Sequence, residues 1–146
     1  MGNVRPMVLF IEDDVGDAEL IQNMLPDGDS RLFDVEWVDR LSVGMERLGK
    51  GGVDVILLDL SLPDSQGLDT FSKVRAKWSN TPVVVLTGLN DQEIALEAVG
   101  RGAQDYLVKG EVEGRSLVRA LRYAIERNRA SGLLQKGKSG QIRNSG

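Results

Sequence analysis

The run Val53-Asp54-Val55-Ile56-Leu57-Leu58 ends on the carboxylate of Asp59, and a loop closed by Pro63 and Gly67 follows it. Branched apolar residues in near-continuous succession predict a strand buried on both faces, which is how strands of parallel sheets look. Parallel neighbours need crossover connections, so this stretch commits the chain to helices on either side of it. An acid at the C-terminal end of such a strand sits where open α/β sheets place their ligands. On position alone, Asp59 reads equally as a loop cap or as a site.

The rest of the chain supplies four more units of the same kind. Met7 to Ile11 is a second buried run, ending in Glu12-Asp13-Asp14. A helical stripe of Ala18, Ile21 and Leu25 follows, with Asp13 or Asp14 as its N-cap. Phe33 to Trp37 alternates strictly, which predicts a strand with one wet face, near a sheet edge. Leu41, Met45 and Leu48 form the next stripe, weakened by Gly44. Phe71, Val74 and Trp78 mark a third helix starting near Asp69 or Thr70. Val83 to Leu86 is another buried strand, ending at Thr87-Gly88, and Asp91 is the expected cap of the helix carrying Ile94, Ala95, Ala98 and Val99. Tyr106 to Val108 is the fifth strand, ending at Lys109, and Ser116 is the expected cap of the last helix, with Leu117, Leu121, Ala124 and Ile125 facing in.

Strict alternation of strand and helix predicts a doubly wound α/β fold, a flavodoxin-like (βα)5 unit with strand order 2-1-3-4-5. Residues 1–130 form one domain. From Ser131 to Gly146 the chain turns rich in Gly and Ser and carries Lys136, Lys138 and Arg143 without an acid, which predicts a flexible tail. Trp37 and Trp78 read as structural, and the arginines of the last helix as a solvated face.

Composition removes several chemistries. The chain has no cysteine and no histidine, which excludes disulfides, thiolate or imidazole metal sites, and Ser-His or Cys-His catalysis. A net charge of -4 argues against non-specific nucleic-acid binding. No apolar run approaches a membrane span and Met1 to Met7 does not begin a signal peptide, so the expected compartment is the cytoplasm.

The expected strand order gives the strand ends a chemical meaning. It brings the acids after strand one, Asp59, Thr87 and Lys109 to one end of the sheet. Three carboxylates a few ångströms apart repel, so without a counter-ion at least one should have a raised pKa. An all-oxygen site of this kind suits Mg²⁺, and Lys109 is the natural ion-pair partner of Asp59. A carboxylate nucleophile, a cation, an amine and a hydroxyl make the positioning and charge-neutralising set for phosphoryl transfer.

Over roughly residues 7–128 the sequence resembles the receiver domain of two-component response regulators. The matching segments are Phe10 to Asp14, Leu58 to Asp64 with Gly67, Leu86-Thr87-Gly88, and Asp105 to Lys109. The resemblance implies that Asp59 accepts a phosphoryl group from a phosphohistidine on a sensor histidine kinase or phosphotransfer protein. It makes Asp13 and Asp14 the acidic pair that holds Mg²⁺, with Asp14 the more direct ligand and the Ser61 backbone carbonyl another. It makes Thr87 the switch hydroxyl, Tyr106 the aromatic switch residue and Lys109 the family lysine. It implies that phosphorylation remodels the face of helix four, strand five and helix five toward a downstream protein, in a monomer or a weak phosphorylation-dependent dimer. It implies a stand-alone switch of the chemotaxis-regulator kind, acting on no substrate but its own phosphoryl group; from the net charge and the lack of a long apolar run, neither nucleic acid nor membrane is expected as a partner.

One position departs from the family. Proline usually follows the lysine there, joined by a cis bond, whereas Gly110 stands here and is expected to supply the unusual backbone geometry instead. Other readings fit less well. A haloacid-dehalogenase-type phosphatase needs a second Asp two residues after its nucleophile, where this chain has Ser61. A flavodoxin-like FMN site needs a phosphate loop where this chain places acids. An unphosphorylated pseudo-receiver would not need the intact acid set.

Overall fold

A computed structural model of the protein describes residues 5–26 and 28–145, without the side chains of Asp29 and residues 132–145. Five strands form one parallel sheet: β1 (Met7–Ile11), β2 (Asp34–Val38), β3 (Val55–Asp59), β4 (Val83–Thr87) and β5 (Asp105–Val108). Their order is β2-β1-β3-β4-β5, as the alternation predicts. Five helices alternate with them: α1 (Val15–Asn23), α2 (Leu41–Leu48), α3 (Leu68–Lys77), α4 (Gln92–Gly100) and α5 (Gly114–Ser145).

The central strands read as continuous apolar runs because each feeds two cores. Val8, Phe10, Val55, Leu57, Val84 and Leu86 pack beneath α1 and α5, with Ala18, Ile21, Leu117 and Leu121. The alternate residues Leu9, Ile11, Ile56, Leu58, Val83 and Val85 face α2, α3 and α4, with Phe71, Val74, Ala95 and Ala98. A strand pleat sends successive side chains to opposite faces, so a strand covered on both sides carries no polar residue to interrupt the run. At the edge, β2 leaves Trp37 partly exposed.

Gly44 is buried inside α2, and a Cβ there would lie 2.5 Å from the Ile11 side chain. Its cost in helix propensity is offset by a closer approach of α2 to β1. The caps differ from expectation at two helices. Asp91 occupies the N-cap position of α4 but makes no side-chain cap bond. Ser116 lies within the first turn of α5, where its hydroxyl accepts the Glu113 N–H at 3.0 Å and donates to the Glu113 carbonyl. The α5 backbone stays helical through Ser145, past the Ser131 boundary that composition suggests. Extending an existing helix needs no new nucleus, so Gly and Ser weaken continuation without forbidding it. The side chains of the basic tail lie outside the described residues, as does Gly146.

Candidate functional site

The C-terminal ends of β1, β3, β4 and β5 meet at one end of the sheet. An open cleft of about 380 Å³ there is lined by Asp59, Ser61, Gln66, Thr87, Asp91 and Lys109, among others. Asp59 is the last residue of β3 and lies at 3% exposure on the cleft floor. Its Oδ1 accepts the Ser61 backbone N–H at 3.0 Å, and its Oδ2 accepts from Lys109 Nζ at 3.0 Å. The loop beyond folds back as a two-residue hairpin, Ser61–Leu62 against Ser65–Gln66. Gly67 N–H closes it on the Leu60 carbonyl at 2.7 Å. Buried Thr70 holds it from α3, donating to Ser65 Oγ at 2.8 Å.

Lys109 comes from the end of β5. Its backbone N–H pairs with the Thr87 carbonyl at 2.8 Å, which sets β4 and β5 side by side up to the cleft. The chain then turns at Gly110, whose φ of 86° lies in the left-handed region, and the described residues contain no cis peptide bond. A glycine here turns the chain away without strain and leaves the amine aimed at Asp59.

The acidic cluster differs from expectation. Carboxylate oxygens of Glu12, Asp13 and Asp59 lie within 4.8 Å of one another. Asp14, expected as the more direct metal ligand, is instead the N-cap of α1, its Oδ1 accepting the Asp17 N–H at 2.9 Å. Asp14 is exposed, whereas Glu12 is fully buried. The register explains the exchange. β1 ends at Ile11, and the Glu12 N–H still pairs with the Val38 carbonyl at 3.0 Å. Glu12 is therefore the last residue held by the sheet, and Asp14 is the residue at which the helix begins. Three consecutive acids do not reveal which of them caps; the strand's pairing with Val38 does.

Glu12 uses both oxygens. Oε2 accepts the Asp14 N–H at 3.1 Å, and Oε1 lies 2.8 Å from Lys109 Nζ, an ionic contact rather than a directed hydrogen bond. Burial pushes its carboxyl up to about 8, helped by the hydrogen bond and charge of Asp59 and opposed by Lys109. Burial alone would lower the Lys109 pKa, but its contacts with Glu12 and Asp59 outweigh this and raise it. The cluster thus carries more negative charge than one lysine neutralises. That surplus, an all-oxygen donor set and the exposure of Asp13 to water suit a hard divalent cation.

Thr87 is buried, and its hydroxyl reaches the Asp91 carbonyl at 3.3 Å and the Gly88 carbonyl at 3.4 Å. Both contacts are long for a hydroxyl donor, so the side chain is loosely held. Tyr106 is half-buried and packs against the core beneath α3 and α4. Asp17, absent from the expected set, joins it: its Oδ2 accepts from Lys109 Nζ at 3.1 Å. An acid one helical turn after a cap resembles ordinary dipole compensation, and only the fold brings it to a lysine 92 residues away in the sequence.

The family model of the response regulator receiver domain matches residues 8–122. The chain is 39% identical over 103 residues to the cell cycle transcriptional regulator CtrA of Caulobacter vibrioides, covering 70% of this chain and 43% of that protein. It is 32% identical over 128 residues to the KDP operon transcriptional regulatory protein KdpE of Escherichia coli, covering 85% and 53% respectively. The chain therefore spans about half the length of these curated relatives. Among solved structures, it matches the signal receiver domain of a putative Luxo repressor protein from Vibrio parahaemolyticus with a TM-score of 0.76 at 23% identity, covering 90% of this chain and 98% of that one. Among the described residues no helix is long and apolar enough to cross a membrane.

Proposed function

Because the chain belongs to the response regulator receiver domain family, we propose that it is a phosphorylation-controlled signalling switch with Asp59 as the phosphoacceptor. The observation that carries this reading is the environment of Asp59. It is a buried carboxylate opening on a cleft, fixed by the Ser61 N–H and the Lys109 ammonium.

The donor is a phosphohistidine on a sensor histidine kinase or phosphotransfer protein. An Asp59 oxygen attacks phosphorus; the O–P bond forms as the P–N bond breaks, and the imidazole leaves with the electron pair. Lys109 holds the nucleophile in place and offsets charge on the transferring group. Glu12, Asp13 and Asp59, with the Ser61 backbone carbonyl, would hold Mg²⁺, which when bound neutralises phosphoryl oxygens. The loosely held Thr87 hydroxyl is readily redirected toward the new phosphoryl group. Tyr106 turns inward with that movement, and the face of α4, β5 and α5 shifts to a second arrangement read by a downstream protein. The protein acts on no substrate beyond its own phosphoryl group.

Mass spectrometry after incubation with Mg²⁺ and acetyl phosphate tests this. The wild type is expected to gain one phosphoryl mass and Asp59→Asn to gain none. Equal labelling of the variant would remove Asp59 from the role.

A further inference from the structure

Lys109 does not rest on the phosphoacceptor alone. Nζ lies 2.8 Å from Glu12, 3.0 Å from Asp59 and 3.1 Å from Asp17, so three carboxyl groups crowd one ammonium, Asp59 and Asp17 as hydrogen-bond acceptors and Glu12 as an ionic neighbour. These partners are not equivalent. The Glu12 and Asp59 side chains are 0% and 4% exposed, whereas Asp17, in the first turn of α1, is 38% exposed. A buried oxygen that loses its partner is left unpaired, while a solvated carboxylate replaces the ammonium with water.

We propose that Asp17 is a positioning residue acting as a releasable anchor: it holds Lys109 in the resting state and surrenders it when Asp59 carries a phosphoryl group. The inference rests on the assignment of Asp59 above. As the carboxylate oxygen–phosphorus bond forms and the donor's bond to phosphorus breaks, the negative charge on Asp59 moves outward onto phosphoryl oxygens. Lys109 redirects one N–H to them, and the Asp17 carboxylate is the partner whose release costs least. Asp17 therefore competes with the phosphoryl group for the lysine. By reciprocity, phosphorylation loosens the first turn of α1 from the end of β5.

The test compares labelling by acetyl phosphate with Mg²⁺ in the full chain and in three variants. Asp17→Asn is expected to label about two- to fivefold faster than wild type, the range an exposed ion pair supports. Asp17→Glu, which keeps the charge, should stay near the wild-type rate. Glu19→Gln removes a charge from an exposed position of α1 and controls for general repulsion of the anionic donor. Hydrogen exchange gives a second readout. Beryllofluoride with Mg²⁺ should speed exchange in the first turn of α1 in the wild type and have no further effect in Asp17→Asn. A merely structural Asp17 would lower the melting temperature without raising the labelling rate. If the wild type labels on Asp59 but Asp17→Asn labels no faster than Glu19→Gln, or if α1 exchange does not respond, the anchor is wrong and the phosphoacceptor stands. If the wild type does not label, both fall.

Discussion

Trp37 donates its indole N–H to the backbone carbonyl of Glu12 at 2.7 Å. This ties the edge strand β2 to the residue that carries the buried acid of the cluster. Trp78, the other tryptophan, packs against the core beneath α3 and α4. A cation binding to the acids changes the field at Glu12 and hence at the Trp37 ring. Titration with Mg²⁺ at millimolar concentration should change the tryptophan emission. Trp37→Phe should lose most of that response and Trp78→Phe should keep it. A response that survives in Trp37→Phe would mean that the cation acts elsewhere.

Asp13 and Asp14 are adjacent in sequence but do different work. Asp13 shares the cluster with Glu12 and Asp59, while Asp14 caps α1. Asp13→Asn should weaken the Mg²⁺-induced rise in melting temperature. Asp14→Ala should leave that rise intact and cost about 1 kcal/mol of stability, the usual loss for a helix cap. Loss of the Mg²⁺ effect in Asp14→Ala would restore Asp14 to the metal site.

The sequence made the sheet legible because five buried runs, each followed by a helical stripe, allow few other topologies. Asp59, Thr87 and Lys109 were legible for the same reason: strand order alone brings their positions together. The division of labour among Glu12, Asp13 and Asp14 was not. It depends on where β1 stops pairing with Val38, and boundaries of this kind shift by a residue without any change in pattern. Asp17 was hidden because its contact with Lys109 spans 92 residues of sequence. Asp64 was hidden because its carboxylate accepts the N–H groups of Leu41 and Ser42, at the start of a helix other than its neighbour.

Glu12 gives the resting protein a pH dependence whose sign follows from its shift. Its carboxyl is raised from 4.5 to about 8 in the fold. Between those values the native state holds a proton that the unfolded chain has lost, so stability should fall as pH rises through that window. Urea unfolding without Mg²⁺ should show this decline, and Glu12→Gln should flatten it and raise the melting temperature near neutral pH. Mg²⁺ must displace the proton, so its affinity for the wild type should increase with pH up to about 8. A midpoint independent of pH across the window would contradict the burial argument.

The carboxylate of Asp64 accepts the backbone N–H groups of Leu41 and Ser42, both at 2.9 Å, and so caps α2 from the loop that follows Asp59. Burial alone would raise its pKa, but these hydrogen bonds together outweigh that and hold it below 3.8. Its stabilisation is therefore present above that pH and lost as pH falls through the folded value. Asp64→Ala should cost about 0.5–1 kcal/mol at neutral pH, as cap removal does. It should also speed amide exchange at the start of α2. Unchanged exchange there would show that the cap contributes nothing.

Gly110 has φ at 86°, and a Cβ built on it would meet nothing within 4 Å. The cost of a side chain there is therefore conformational rather than steric against neighbours. Gly110→Ala should destabilise the protein by about 1–2 kcal/mol, the ordinary cost of a left-handed residue. Gly110→Pro reinstates the residue that the family usually carries, yet proline fixes φ near −65°, which the present turn cannot accept. It should be the more destabilising of the two and should displace Lys109, lowering the labelling of Asp59 by acetyl phosphate as well as the melting temperature. If Gly110→Pro instead matches the wild type in both, the turn after β5 can adopt the family geometry, and the left-handed glycine is not what aims the lysine.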